Sequence, residues 1–203
     1  MERSFVFPEP NGAQKSALDK IRIWLEEFDE RPIYFLYGSS GTGKTFVANT
    51  LIRDIHDSGR LVVSFFCSSI HPVHMIPTLA AELVRKVPGF RSNLVEAIQG
   101  HYDKPFLSLS EVLAYQMDEF IFNPLKKCKT ENMVIVIDGL DQLYEGYVEE
   151  ILAFLKTVLP KIQGAGMKFI ITSSLKPCIL MGSSQFQCSN LDLPKLELNQ
   201  AQN

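Results

Sequence analysis

No apolar run in this chain approaches the ~18 residues that a membrane-spanning helix needs. Nor do residues 1–8, MERSFVFP, hold the continuous apolar stretch of a secretory leader. The expectation is therefore a cytoplasmic chain with no membrane among its partners. Cysteine is scarce, and Cys67, Cys128, Cys178 and Cys188 include no C-x-x-C pair, so a disulfide scaffold is not expected. Cys67, His71 and His74 have a spacing that a metal site could use, but a fourth ligand is not evident, and a cysteine ending a strand reads as core. An excess of one charge is also missing. Twenty Lys and Arg stand against 23 Asp and Glu, a net of -3, which argues against nucleic acid or an anionic membrane as the main partner. Repeats and low-complexity stretches are absent, and no arginine follows Arg91. What is present is ordinary for a globular chain: 203 residues, 46% hydrophobic and 21% charged, enough for one domain with a sizeable core.

The informative stretch is PIYFLYGSSGTGKTFVANTL, residues 32–51. Ile33 to Tyr37 form a short apolar and aromatic run, as a buried parallel strand requires. Phe46, Val47, Leu51, Ile52 and Ile55 then recur at helical spacing. Between them, Gly38, Ser39, Ser40, Gly41, Thr42, Gly43, Lys44 and Thr45 match G-x-x-x-x-G-K-[ST], the phosphate-binding P-loop or Walker A motif. A polyphosphate must be met by many donors at close range. Glycines let the backbone wrap it without a Cβ in the way, so that successive N–H groups form an anion nest. The following helix adds its unpaired N-terminal N–H groups. Lys44 supplies a point charge for the β- and γ-phosphates, and the Thr45 hydroxyl is placed for Mg²⁺.

Elsewhere the chain alternates strands and helices. Residues 1–12 read as an irregular lead-in, and Ala17, Leu18, Ile21, Trp24, Leu25 and Phe28 share one helical face. Residues 61–67 read as a strand, 75–87 and 90–98 as helices. Ser108 and Glu111 make a capping box with Leu107 and Val112 as its staple. The helix they open is expected to end near Phe122, at Asn123-Pro124. Met133 to Ile137 is the most apolar run and ends on Asp138. A helix over 148–159 should stop at Pro160, Lys168 to Ser173 is a strand, and Leu191 to Leu198 is one more possible strand. The expected organisation is a lead-in and amphipathic helix over 1–30 and a core over 31–203, one α/β domain with a mainly parallel sheet.

A buried strand ending in Asp is the Walker B pattern: it delivers the Asp138 carboxylate to the sheet edge where Thr45 and the phosphates hold Mg²⁺. A further strand separates the two motifs in sequence. That arrangement matches the P-loop class with a strand inserted between the Walker A and Walker B strands, which uses ATP more often than GTP. No N-K-x-D guanine signature occurs.

RPIYFLYGSSGTGKT, GRLVVSFFCSS, MIPTLAAEL, MVIVIDGLDQL and KFIITSS together resemble, in order and spacing, the NACHT-type P-loop NTPase core of the STAND class. The closest likeness is to its fungal NLR-like and nephrocystin-type versions, over roughly residues 15 to 180. The resemblance implies a three-layer P-loop NTPase fold. It also implies ATP or ADP with Mg²⁺ as cofactors, and a nucleotide-controlled signalling or assembly switch whose partner is another protein or a second copy. Two departures stand out. Gln142 occupies the Glu position of D-[AG]-L-D-E, and Ser174 stands where the family's T-S-R carries a phosphate-facing Arg. Slow or impaired ATP hydrolysis is expected as a result, with Asp141 as the base and Gln142 orienting the water. The alternative is a small-molecule or nucleoside kinase. Against it, all seven arginines lie within the first 91 residues, leaving no cations for a lid after Asp138. A third reading is a scaffold that has lost nucleotide, which the intact Lys44, Thr45 and Asp138 oppose.

Overall fold

The computed structural model describes residues 9–27, 31–67, 71–99, 108–128, 130, 132–143, 145–174 and 186–191. Its centre is a five-stranded sheet: β1 (Ile33–Tyr37), β2 (Val62–Phe66), β3 (Val134–Asp138), β4 (Lys168–Ser173) and β5 (Phe186–Asn190). The order across the sheet is β2-β3-β4-β1-β5, and every pairing is parallel. The Walker A strand β1 and the Walker B strand β3 are thus one strand apart. The separator is β4, from late in the chain, while β2, which lies between them in sequence, sits at the edge.

Strand alternation divides the core in two. Tyr34, Leu36, Val134, Val136 and Ile170 face α1 (Gly12–Glu26) and α2 (Lys44–Asp57). Ile33, Phe35, Ile135, Ile137, Phe169 and Ile171 face the other layer. That layer is built from α3 (Met75–Lys86), α4 (Phe90–Ile98), α5 (Leu109–Met117), α6 (Asn123–Cys128) and α7 (Glu145–Gly164). The result is the three-layer α/β sandwich of the P-loop NTPase fold. On α1 the residues expected to face inward, Ala17, Leu18, Ile21, Trp24 and Leu25, are all buried, whereas Phe28 lies outside the described residues. The far end of α1 is held by Lys168, whose ammonium donates to the Trp24, Leu25 and Glu27 carbonyls, and by Arg60, which donates to Leu25. Cations belong at a helix C-terminus, where unpaired carbonyls converge.

Three boundaries differ from expectation. The segment opened by Ser108, whose hydroxyl accepts from the Glu111 N–H, does not end at Phe122. It passes through a π-helical turn, Asp118–Phe122, and continues as α6. Pro124, which has no N–H to give the helical ladder, stands directly after the π turn, where the hydrogen-bond pattern shifts from i→i+5 back to i→i+4. Pro160 likewise sits inside α7 rather than ending it. Leu155, Val158, Leu159 and Ile162 are buried on both sides of it, and each large apolar side chain so placed contributes about 1.5–3 kcal/mol. Together they outweigh the lost hydrogen bond. Among the described residues the last strand is β5, so Leu191 follows a strand instead of opening one. Leu191 is the buried residue after it and donates its N–H to the Tyr37 carbonyl, and residues 192–198 lie outside the described set, as does the staple residue Leu107.

Candidate functional site

All residues assigned to phosphate and metal chemistry gather at the C-terminal edge of the sheet. The loop leaves β1 at Gly38, whose N–H donates to the Ser173 carbonyl at 3.2 Å, and it closes on Gly43, which caps α2. Gly41 (φ 82°) and Gly43 (φ 91°, ψ 27°) both have left-handed backbones, which is the turn the motif's glycines are there to permit. The turn is tightened by Thr42, which donates to the Ser39 carbonyl through both its N–H and its hydroxyl. Lys44 folds back over the loop, its ammonium donating to the Gly38 and Ser39 carbonyls at 2.6 and 3.0 Å. The cation is therefore already at the mouth of the cradle.

Asp138 ends β3 only 4% exposed. One carboxylate oxygen accepts from the Thr45 hydroxyl at 2.7 Å and the other from the Thr172 hydroxyl. Thr172 in turn accepts from the Gly139 N–H at 2.9 Å. Two hard oxygens, one from each motif, thus stand side by side at the sheet edge, a donor set suited to Mg²⁺. The Walker A and Walker B residues are brought together as the sequence required.

The two residues expected to handle water are placed differently. Asp141 lies in a short turn, Leu140–Gln142, and both its oxygens are engaged by one residue. The Ser174 N–H donates to it at 2.7 Å and the Ser174 hydroxyl at 2.6 Å. Burial alone would raise the Asp141 pKa. The two Ser174 bonds, a backbone bond of its own and the nearby Lys44 charge prevail and hold it below the usual carboxylate range. A carboxylate so stabilised is a poor proton acceptor. Gln142 is exposed and its side chain lies over Gly139 (φ 78°), with Nε2 2.6 Å from where a Cβ would stand. It spans no gap to the P-loop.

Two neighbours complete the edge. Cys67, the residue after β2, is buried, and its thiol pKa is pushed up to about 12, by burial first and then by the charges of Asp138 and Asp141. It is inert core rather than nucleophile or ligand. His71 is held by Tyr147, 2.7 Å from its Nε2, and accepts from the Val73 N–H through Nδ1. Among the described residues no group of three or more His, Cys, Asp or Glu could hold a metal ion. Sequence reasoning missed one residue, Gln14, assigned to no function in the lead-in and helix. Its side-chain amide donates to the Thr42 carbonyl at 3.0 Å, placing the start of α1 against the P-loop. The only local signal was Asn11 three residues earlier: Asn11 and Gln14 form a capping box, marking where α1 starts.

A cavity of about 760 Å³ opens at the opposite sheet edge, between the π turn, α6 and the end of α7. The Lys161–Asp118 ion pair (2.6 Å), Phe122, Lys126 and Met167 line it. It contains no glycine nest and no strand-borne carboxylate. The residues assigned to phosphate, 38–45, lie at the other edge.

Comparison with known proteins agrees with this geometry. The family described as Nephrocystin 3, N-terminal, matches residues 16–174, from within α1 to the end of β4. No curated protein matches the sequence. Two solved structures share the fold. One is Drosophila ORC bound to AT-rich DNA and Cdc6, 13% identical with a TM-score of 0.51, covering 88% of this chain and 53% of that one. The other is Drosophila ORC bound to DNA, 16% identical with a TM-score of 0.51, covering 89% and 43%. The chain thus spans about half the length of the solved chains it matches, and at such identities the likeness is one of fold.

Proposed function

The chain belongs to the Nephrocystin 3, N-terminal, family, and from that premise we propose that it binds ATP or ADP and works as a nucleotide-controlled switch with slow or impaired hydrolysis. The observation that carries the reading is the meeting of Thr45 and Asp138 beside a loop whose glycines are in the nest conformation. Residues 38–45 take the phosphates, with Lys44 moving from the loop carbonyls to the β- and γ-phosphates. The Thr45 hydroxyl and the Asp138 carboxylate would hold Mg²⁺, which would neutralise phosphate charge. The proposed division is a lead-in and helix over 1–30 and a core over 31–203, and it is supported by α1 touching the P-loop at Thr42 through Gln14.

Slow turnover is supported by the tethered Asp141 and by Gln142 lying over Gly139. With neither a free base nor a cation at position 174, the bound nucleotide is held rather than spent, as suits a switch. Its output is association with a partner protein or with a second copy. The net charge of -3 supports a protein partner rather than nucleic acid, the DNA of the ORC structures being theirs. No helix among the described residues is long and apolar enough to cross a membrane, and we place the switch in the cytoplasm.

The direct test is thermal unfolding with Mg–ADP or Mg–ATP. Ligand at a hundred times Kd stabilises by roughly 2.7 kcal/mol, so the wild type should show a clear rise in Tm and Lys44→Ala none. Equal shifts in both proteins would mean the phosphates bind elsewhere.

A further inference from the structure

Resting on the reading of residues 38–45 as a phosphate cradle, we propose that Gln14 is a positioning residue for the nucleotide. It fixes the direction in which the Thr42–Gly43 peptide presents its N–H to a bound phosphate.

Gln14 Nε2 donates to the Thr42 carbonyl at 3.0 Å, while Gln14 Oε1 accepts the Asn11 N–H at 3.0 Å. The group is read at both ends, so neither flipped orientation nor any other side chain of its length serves. A carboxylate cannot donate to Thr42, and an ammonium cannot accept from Asn11. In a trans peptide the C=O and the next N–H point to opposite sides. A Thr42 carbonyl held toward α1 therefore turns the Gly43 N–H away from α1.

That peptide needs holding. It stands between Gly41 and Gly43, whose torsions no side chain restrains. A Cβ at Gly43 would collide with the Gln14 amide, so the two are in direct contact as well as hydrogen-bonded through the neighbouring carbonyl. A donor already aimed before phosphate arrives costs no reorganisation on binding. The family match begins at Ser16, after Gln14, so this contact rests on the chain's own geometry.

Two substitutions separate the helix-capping role from the positioning role. Gln14→Glu keeps an acceptor for the Asn11 N–H and hence the capping box, but it faces Thr42 with a second acceptor. Gln14→Met loses both bonds without adding charge. Calorimetry with Mg–ADP and Mg–ATP, competition by Mg–tripolyphosphate against labelled ADP, and nucleotide-free Tm are measured for each. Gln14→Met should bind nucleotide about 3- to 10-fold more weakly, the range one neutral hydrogen bond supplies. Gln14→Glu should bind more weakly still, at a nucleotide-free Tm close to that of the wild type. Tripolyphosphate should lose the same factor as ADP.

Wild-type affinity in Gln14→Met overturns the proposal, and a loss confined to Gln14→Glu does so too, since that is a charge effect alone. A loss on ADP without one on tripolyphosphate would move Gln14 to the base and equally overturn it. A wild type that binds no nucleotide refutes the cradle reading instead, an outcome that Lys44→Ala cannot mimic.

Discussion

The turn after β1 and the turn after β3 make an instructive pair. Each leaves a strand at the same sheet edge, each passes through a left-handed glycine (Gly43, φ 91°; Gly139, φ 78°), and in each a glutamine amide lies on that glycine. After β1 the backbone curls in the nest conformation, and the one cation, Lys44, rests on loop carbonyls that it can leave. After β3 the polar groups are spent on each other: Asp138 on Thr45 and Thr172, Asp141 on Ser174. The first turn is built to receive an anion. In the second, the groups that would act on that anion are already occupied. On the proposed reading, binding and hydrolysis are separable properties of this edge.

The largest effect is expected at the first turn. Gly43→Ala forces a side chain into a left-handed backbone, a strain of about 1–2 kcal/mol. It also drives a Cβ into the Gln14 amide, so nucleotide-dependent stabilisation should vanish, as read by Tm with and without Mg–ADP. The matching change, Gly139→Ala, meets only the free end of the exposed Gln142 and should cost the backbone strain alone while leaving nucleotide affinity intact.

A second, smaller effect is expected at Asp138→Asn. One acceptor must replace two, leaving a hydroxyl at a buried site poorly paired and costing ~1–3 kcal/mol in denaturant unfolding. Mg²⁺-dependent affinity should fall with it.

Sharpening the contrast means restoring chemistry to the second turn. Ser174→Arg combined with Gln142→Glu removes the hydroxyl tether on Asp141 and supplies a cation and an acid, so steady-state ATP turnover should rise on the order of 10-fold or more. Rapid hydrolysis by the unmodified chain would contradict the account of the second turn.

The smallest effect is a pH dependence. The Asp141 pKa is lowered in the folded state, so its bonds stabilise the fold above the ordinary carboxylate pKa of about 4, and that contribution is lost as pH falls through the folded value. Asp141→Asn should therefore be less stable than wild type near pH 7, and the gap should close on acidification.

How much of this was legible in the sequence depended on distance along the chain. The P-loop and Asp138 could be read because each is a short motif whose backbone demands are written in its own glycines and flanking apolar residues. Pro124 and Pro160 misled because local breakers were weighed without knowing what the neighbouring turns bury. The strand between β1 and β3 could not be identified, since strand order is set by pairings between residues far apart. Asp141 was recognised as chemically interesting, but its capture by Ser174, 33 residues on, was invisible. Gln14 carried a local capping pattern that explained it fully, and its second role depends on a residue 28 positions away.

The insertion of β4 between β1 and β3 has a consequence for biosynthesis. A nascent chain that has emerged as far as Asp138 already carries both nucleotide motifs, yet of their strands only β3 has a neighbour, β2; both partners of β1, β4 and β5, come later in the chain. Only when Lys168 to Ser173 leaves the ribosome tunnel can the sheet close, and the same event delivers Thr172 and Ser174 to the two carboxylates. On the proposed reading, a nucleotide would therefore find both motifs aligned only in a sheet whose last central strand has arrived.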